Sequence, residues 1–213
     1  ESFFVGAISL ETGPGWIKPW RLPVEDLPVY DPTECLRGPA ECPAGVRLRF
    51  VTASRRVGLS VTPWTEGLRK FDLVVGTDRI ETVELPAGQT EVAFSPLPES
   101  IADGKATLEI WLPQTAPAAC AHLLVENGTD AAPADDPRPK WITYGSSITH
   151  CGAAHSPSRT WPATAARMRD LNLTSLGYGG NCHLEGLIAC MIRDLPADGI
   201  SLKIGINIQG GNT

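Results

Sequence analysis

Three short clusters of small and polar residues hold the side chains of this sequence that could do chemistry: Gly145-Ser146-Ser147, Gly177-Tyr178-Gly179-Gly180-Asn181 and Gly205-Ile206-Asn207. Together they contain the parts that acyl transfer requires, a nucleophile and hydrogen-bond donors aimed at the oxygen that becomes negative in the tetrahedral intermediate. A serine at a strand-to-helix turn offers its hydroxyl and its own N–H at one point. A glycine lets the backbone bring a second N–H to close range, and an asparagine side chain supplies a third donor. Taken singly, each cluster reads as ordinary structure: a serine capping a helix, a glycine in a left-handed turn, an asparagine satisfying backbone groups at a strand end. What they mean depends on the elements that carry them.

From residue 140 onward the pattern alternates strand, helix, strand, helix, strand. Residues 140–144 form a short apolar strand. Trp161, Ala165 and Met168 fall on one face of a helix that Ser158 or Thr160 would cap, with Pro162 tolerated in its first turn. Residues 173–176 make a second strand, and Leu184, Leu187, Ile188, Met191 and Leu195 repeat at helical spacing before a third strand at 200–204. Such alternation calls for a parallel sheet with right-handed crossovers, whose ligands bind outside the carboxyl ends of the strands. All three clusters fall at those ends. The third strand has nothing after it to cover its edge, so this α/β part, 140–213, reads as cut short.

Residues 1–126 have a different rhythm, short apolar or β-branched runs separated by turn residues. Strands are expected at 3–10, 46–52, 57–62, 71–75, 79–85, 90–94, 106–112 and 120–126, with a hairpin turn at Gly76-Thr77-Asp78. Seven or eight strands at this spacing predict a β-sandwich of jelly-roll type. Between the two parts, residues 127–139 hold three prolines, three aspartates and no large apolar side chain, and read as a linker.

The composition, 213 residues with 42% hydrophobic and 20% charged side chains, excludes disordered and collagen-like classes. Eighteen Lys+Arg against 24 Asp+Glu give a net charge of -6, without the basic patch that nucleic-acid binding demands. No run of about 18 apolar residues offers a membrane span. A chain that starts at Glu1 reads as trimmed, with any signal peptide already gone. The six cysteines are too scattered for a disulfide scaffold, and only Cys35 and Cys42, in a Pro/Gly-rich stretch, stand as a pair to test for a bridge. The compartment stays open, a cytoplasmic setting being favoured over secretion. Asn127-Gly-Thr and Asn172-Leu-Thr fit the N-glycosylation pattern, but the second overlaps a predicted strand.

Tyr-Gly-Ser-Ser-Ile-Thr at 144–149, Leu-Gly-Tyr-Gly-Gly-Asn at 176–181 and Gly-Ile-Asn-Ile at 205–208 resemble the first three sequence blocks of the SGNH hydrolases, or GDSL-type esterases, in the family's order. The stretch 15–23, Gly-Trp-Ile-Lys-Pro-Trp-Arg-Leu-Pro, together with Phe71-Asp72-Leu73, resembles the β-sandwich that precedes the hydrolase domain in one bacterial branch. The resemblance implies a jelly-roll-like sandwich followed by a truncated, flavodoxin-like SGNH domain. It implies Ser147 as nucleophile and an oxyanion hole made of the N–H of Ser147, the N–H of Gly180 and the amide of Asn207. The activity it implies is hydrolysis of an ester, releasing a short acyl group such as acetyl from a carbohydrate or small metabolite, with no metal and no cofactor.

The family's fourth block, an Asp-x-x-His that supplies the general base, is absent from residues 1–213. Either the chain is a fragment whose base lies beyond Thr213, or a second chain completes the site, or the protein is a non-catalytic, carbohydrate-binding or vestigial relative. Acyl transfer to an acceptor other than water would use the same residues. Of the four histidines, His122 falls in a predicted strand and His150 sits three residues past Ser147 with its ring expected to point away. His155 and His183 lie within reach of the pocket, where contact with substrate or packing is the expected role and a substitute base the lesser one, and Trp161 would either wall the acyl site or pack against the sheet. Trp16, Trp20, Trp64 and Trp111 could form a sugar-stacking platform, although core packing is the commoner role of such residues.

Overall fold

The computed structural model describes residues 2–76, 79–99, 101, 104 and 106–209. Its N-terminal part contains β1 (Phe4–Val5), β2 (Ser9–Gly13), β3 (Trp16–Trp20), α1 (Leu27–Tyr30), α2 (Arg37–Glu41), β4 (Arg47–Thr52), β5 (Val57–Val61), β6 (Arg69–Val75), β7 (Arg79–Leu85), β8 (Glu91–Ala93), β9 (Thr107–Trp111), β10 (Cys120–Val125) and β11 (Ala131–Pro133). Two antiparallel sheets result, one in the order β1-β4-β9-β6-β7 with β11 also on β4, the other β2-β3-β10-β5-β8. Alternation along the strands decides their faces. Leu48 and Phe50, Phe71 and Leu73, and Leu108 and Ile110 meet Val57, Leu59, Val61 and Val92 of the other sheet in one buried core.

The opposite face of the first sheet carries Arg47, Asp72, Val74, Glu109 and Trp111, and it is buried too. What covers it is the second part of the chain: β12 (Lys140–Gly145), α3 (Ser147–His150), α4 (Trp161–Met168), β13 (Asn172–Gly177), α5 (Gly186–Asp194) and β14 (Gly199–Lys203). Its three strands are parallel in the order β13-β12-β14, and Gly145 stands level with Gly177 and Lys203, so the three carboxyl ends lie side by side.

β13 is an edge strand, yet its outward carbonyls are not left bare. Arg47 Nη1 donates to the Leu173 carbonyl at 3.1 Å. Arg21 Nη1 donates to those of Ser175 and Gly177 at 3.1 and 2.5 Å. Two buried guanidinium groups thus stand where a neighbouring strand would. Gly45 permits the approach, since a Cβ there would lie 2.7 Å from the Ser175 Cβ. Two apolar clusters cross the same boundary. Trp20, Leu22, Leu27 and Leu36 pack with Ile142, Tyr144, Leu176, Tyr178 and Ile188. Val74 and Trp111 pack with Ala163, Ala166 and Leu173.

Several expectations need correction. The run 3–10 is not one strand: it breaks at Gly6, whose φ is +85°, and feeds β1 and β2 into different sheets. Trp16–Trp20, read only as a family signature, is β3 and pairs with β2 from Ser9↔Trp20 to Gly13↔Trp16. The segment 127–139 is docked rather than free: β11 pairs with β4, and Asp136 accepts from Arg47 Nη2 at 2.9 Å and from Arg138. α4 does not bury Trp161, Ala165 and Met168. It turns Pro162, Ala163 and Ala166 inward, because the small alanines let it lie close to β13, and Met168 is 77% exposed. Thr160 caps α4 by accepting from the Ala163 N–H, while Ser158 binds Asp72 instead. Of the α5 stripe, Ile188 and Met191 are buried, but Leu184 and Leu187 are exposed.

β6 and β7 pair as the expected hairpin, although Thr77 and Asp78 of its turn lie outside the described residues. Cys35 and Cys42 are both unbridged thiols. Trp20 and Trp111 are 1% exposed at the boundary between the two parts, so neither belongs to a stacking platform. Asn172 turns its amide oxygen to Arg47 Nη2, at 2.8 Å. Among the described residues no helix is long and apolar enough to cross a membrane.

Candidate active site

Two glycines decide where Ser147 stands. A Cβ on Gly145 would sit 2.2 Å from Thr149 Oγ1, and one on Gly177 would sit 2.3 Å from the backbone N of His150. Without side chains at these positions, α3 lies directly across the carboxyl ends of β12 and β13. Ser146, at the end of β12, accepts from the Thr149 and His150 N–H groups through its carbonyl and starts the turn. Ser147, the first residue of α3, is exposed. As in any helix start, its N–H has no partner within the helix. The Trp161 indole N–H donates to the Ile148 carbonyl at 2.8 Å, and its ring lies 6.0 Å from that of Trp141. Trp161 is therefore a neighbour of the serine turn and braces α3 from outside.

The second cluster follows β13. Tyr178 is buried, donates through its hydroxyl to the Arg21 carbonyl at 2.5 Å and lies under the Arg21 guanidinium. The Gly179 N–H donates to His150 Nδ1 (3.1 Å) and the Asn181 N–H to the Tyr178 carbonyl (3.1 Å). The N–H groups of Cys182 and His183 donate to the Glu185 carboxylate, which also accepts from the Tyr144 hydroxyl. Among the described residues, the amides of 178–183 thus all have acceptors except that of Gly180. Gly180 is exposed with φ +79°. Cys182 and Leu184 share the left-handed region, at φ +75° and +66°, a conformation non-glycine residues keep only when neighbours hold it. The Glu185 carboxylate does the holding here. Its hydrogen bonds keep it below the usual carboxylate range although burial pushes the other way.

Asn207 joins the third cluster to the second: its side-chain amide donates to the Asn181 carbonyl at 2.5 Å, which leaves its other N–H available. Asn181 in turn donates to the Cys35 carbonyl of the N-terminal part at 3.0 Å. A continuous chain of contacts therefore links the turn of Ser147, through His150, to the Gly179–Asn181 turn and on to Asn207.

His150 points away from Ser147, as expected, but it is not idle. Its Nε2 lies 2.6 Å from the Gln114 carbonyl, which can only accept, and its Nδ1 accepts from Gly179. The ring is thereby the neutral Nε2–H tautomer. Burial, aided by the nearby Arg21 cation, pushes its pKa down to about 4, so the ring is neutral at neutral pH, and with both nitrogens engaged it has none free to take a proton from Ser147. Among the described residues the Ser147 hydroxyl has no hydrogen-bonding side chain. His155 is exposed in the loop after α3. His183 is exposed 3.8 Å from Glu185 and borders a groove shared with Tyr30, Cys35 and Leu36 of the N-terminal part. His122 lies on β10. What sequence reasoning missed are the supports, His150, Gln114, Arg21 and Glu185. Only Arg21 carried a signal, its place in the 15–23 stretch.

A family model described as the SsfX3 N-terminal domain matches residues 3–118, and one described as the GDSL-like lipase/acylhydrolase family matches residues 139–202. Among solved structures the chain is similar to the salicylyl-acyltransferase SsfX3 from a tetracycline biosynthetic pathway, with 37% identity and a TM-score of 0.86 over 96% of this chain and 60% of that one. It is also similar to a protein described as a GDSL-like lipase from Bacteroides ovatus, with 20% identity and a TM-score of 0.71 over 96% of this chain and 62% of that one. An acetyl xylan esterase from the rumen bacterium Butyrivibrio proteoclasticus shares the fold at 12% identity, with a TM-score of 0.52 over 80% of this chain and 59% of that one. The chain thus spans about three-fifths of the length of these proteins. No curated protein sequence matches it.

Proposed function

This chain belongs to the SGNH, or GDSL-type, hydrolase family, in the branch with an SsfX3-type N-terminal domain, and on that premise we propose that Ser147 is the nucleophile of an acyl-ester reaction. The single observation that carries this is the Gly145/Gly177 gap. It sets an exposed serine at the carboxyl end of β12 beside a turn whose Gly180 N–H alone lacks an acceptor. Ser147 Oγ attacks the ester carbonyl, and the N–H groups of Ser147 and Gly180 with the Asn207 amide hold the oxyanion. Collapse of the intermediate breaks the bond to the alcohol, which leaves with the proton taken from the serine, and an acyl-enzyme remains. In this reading the base that moves this proton is supplied by a segment outside residues 1–213; His150 does not supply it, because both of its ring nitrogens are engaged. The two N-terminal sheets are a jelly-roll-like sandwich in this reading, and the parallel strands belong to a flavodoxin-like SGNH layer.

Water then releases the acyl group, which makes the protein an esterase for a short acyl group, such as acetyl, on a carbohydrate or small metabolite. A second reading has an alcohol take the acyl group; it draws on the 37% identity to a salicylyl-acyltransferase. The experiment is labelling of the full-length protein with a fluorophosphonate, alongside turnover of p-nitrophenyl acetate with and without alcohol acceptors. Ser147→Ala is expected to abolish labelling and to lower kcat by at least about 10³-fold. Parental turnover in Ser147→Ala would sink the proposal, and absence of any labelling in the parent would leave a binding role. Acyl products appearing on the alcohol would select transfer over hydrolysis.

A further inference from the structure

We propose that His150 is a positioning residue of the acyl-transfer site, through which the N-terminal part of the chain sets the oxyanion turn relative to the nucleophile. The inference rests on the reading of Ser147 and Gly180 given above. His150 closes α3, one helical turn after Ser147, and is 8% exposed. Its ring is gripped from both sides. On one side Nε2–H donates to the Gln114 carbonyl at 2.6 Å, and Gln114 itself holds the Ala154 carbonyl at 3.1 Å through its side-chain amide. On the other side Nδ1 accepts from the Gly179 N–H, and a Cβ on Gly179 would come within 3.4 Å of that nitrogen.

The consequence lies one residue further on. With the Gly179 N–H directed at His150 and the Asn181 N–H at the Tyr178 carbonyl, the peptide between them has little freedom. The Gly180 N–H is then presented outward without an acceptor of its own. Loss of the Nδ1 contact frees the turn to rotate, and a donor misplaced by about 1 Å costs about 10²-fold in rate. The nucleophile and its oxyanion donor are therefore set by one ring, whose own orientation is dictated by a backbone carbonyl of the N-terminal part. The ring is buried with both nitrogens engaged by backbone groups, so substrate affinity should not depend on it.

Two replacements separate the ring's two bonds. His150→Asn keeps an oxygen near the Nδ1 position, able to accept from Gly179, and loses the donor to Gln114. His150→Gln keeps a nitrogen near the Nε2 position, able to donate to Gln114, and loses the acceptor. In the full-length protein both variants are expected to unfold at a lower temperature than the parent. kcat for p-nitrophenyl acetate should fall about 10²-fold in His150→Gln and less than about fivefold in His150→Asn, with KM within about twofold in each. Equal kcat in the two variants, or a loss carried in KM, overturns the inference. Ser147→Ala, run beside them, tells the two failures apart: parental turnover there removes the reading of the site itself, whereas an inactive Ser147→Ala with a fully active His150→Gln removes only the role of His150. Should either variant fail to fold, the parent protein decides. Phosphonylation of Ser147 is expected to shift the ring ¹⁵N signal of His150 Nδ1 and the Gly179 amide signal, and unchanged signals in both overturn the inference.

Discussion

A histidine whose two ring nitrogens bind a carbonyl and an amide N–H has only one protonation state that fits its site. For His150 that state is neutral, and burial next to Arg21 holds its pKa down to about 4 against 6.5 in the unfolded chain. Between these two values the unfolded chain binds more protons than the folded one, so stability rises with pH across the window. The expected outcome is full stability above about pH 6.5 and a loss approaching 3 kcal/mol by pH 4, read from urea unfolding at fixed ionic strength. His150→Asn should flatten that slope. Asp136 acts lower. Its hydrogen bonds and the Arg47, Arg138 and Arg49 cations hold its pKa at about 2 against burial, so its contribution is present above about pH 4 and is lost toward pH 2. At this scale the grouping of Ser147, Gly180 and Asn207 at neighbouring strand ends was legible, because each follows a strand that local pattern declares. His150 was not, because its partners are 36 residues before it and 29 after it, and neither distance leaves a local pattern.

Elements place these residues by what they leave out. α3 can lie across the ends of β12 and β13 only because Gly145 and Gly177 lack side chains. In Gly177→Ala the new methyl group would meet backbone, the His150 N at 2.3 Å, so the helix itself must move and Ser147 moves with it. Overpacking of this kind typically costs about 1–3 kcal/mol. We expect a loss of stability of that size, read as a lower Tm, together with a slower fluorophosphonate reaction at Ser147. An unchanged labelling rate in a destabilised Gly177→Ala protein would mean that α3 is not held by this contact. The three strands from residue 140 onward and their parallel alternation were readable from periodicity, since they obey local rules. The inward face of α4 was not, because Trp161 and Met168 are the larger apolar residues while close approach to β13 favours Ala163 and Ala166.

The whole molecule is held by surfaces that each part would expose alone. Trp20, Leu22 and Leu36 complete the core under Tyr144, Leu176 and Tyr178, and Ala163, Ala166 and Leu173 cover Val74 and Trp111. Asp72, inside the first sheet, accepts at one oxygen from the Ser158 N–H and hydroxyl at 2.8 and 2.6 Å. Glu109 serves Arg47, Arg49 and Arg138 together, and these cations keep its carboxyl below the usual range although burial works to raise it. Residues 140–213 expressed alone lose both apolar clusters' other halves and the two arginines on β13. They are expected to show a collapsed amide proton spectrum and no cooperative thermal transition. A dispersed spectrum from this fragment would show that the N-terminal part does not support it. Replacing Arg47 with alanine leaves Asp136 and Glu109 with less cation around them, and should cost about 3–5 kcal/mol, as loss of one member of a buried ion cluster does.

From its residues alone the chain declared two rhythms, a period of two up to about residue 126 and alternating strands and helices from 140, and it placed three polar clusters at three strand ends. Those are local facts, written in neighbours along the chain. Whether the 127–139 segment would hang free, and which polar residues of the first sheet would be buried, depended on contacts across more than 80 residues, such as Asp72 with Ser158 and Arg47 with Asp136 and Leu173. A strand with Arg47, Asp72 or Glu109 on one face reads as half-solvated because alternation reports polarity and not what will cover it. Only the packing of the two parts turned that polar face into a support, on which the start of β13 and the Ser158 turn are set.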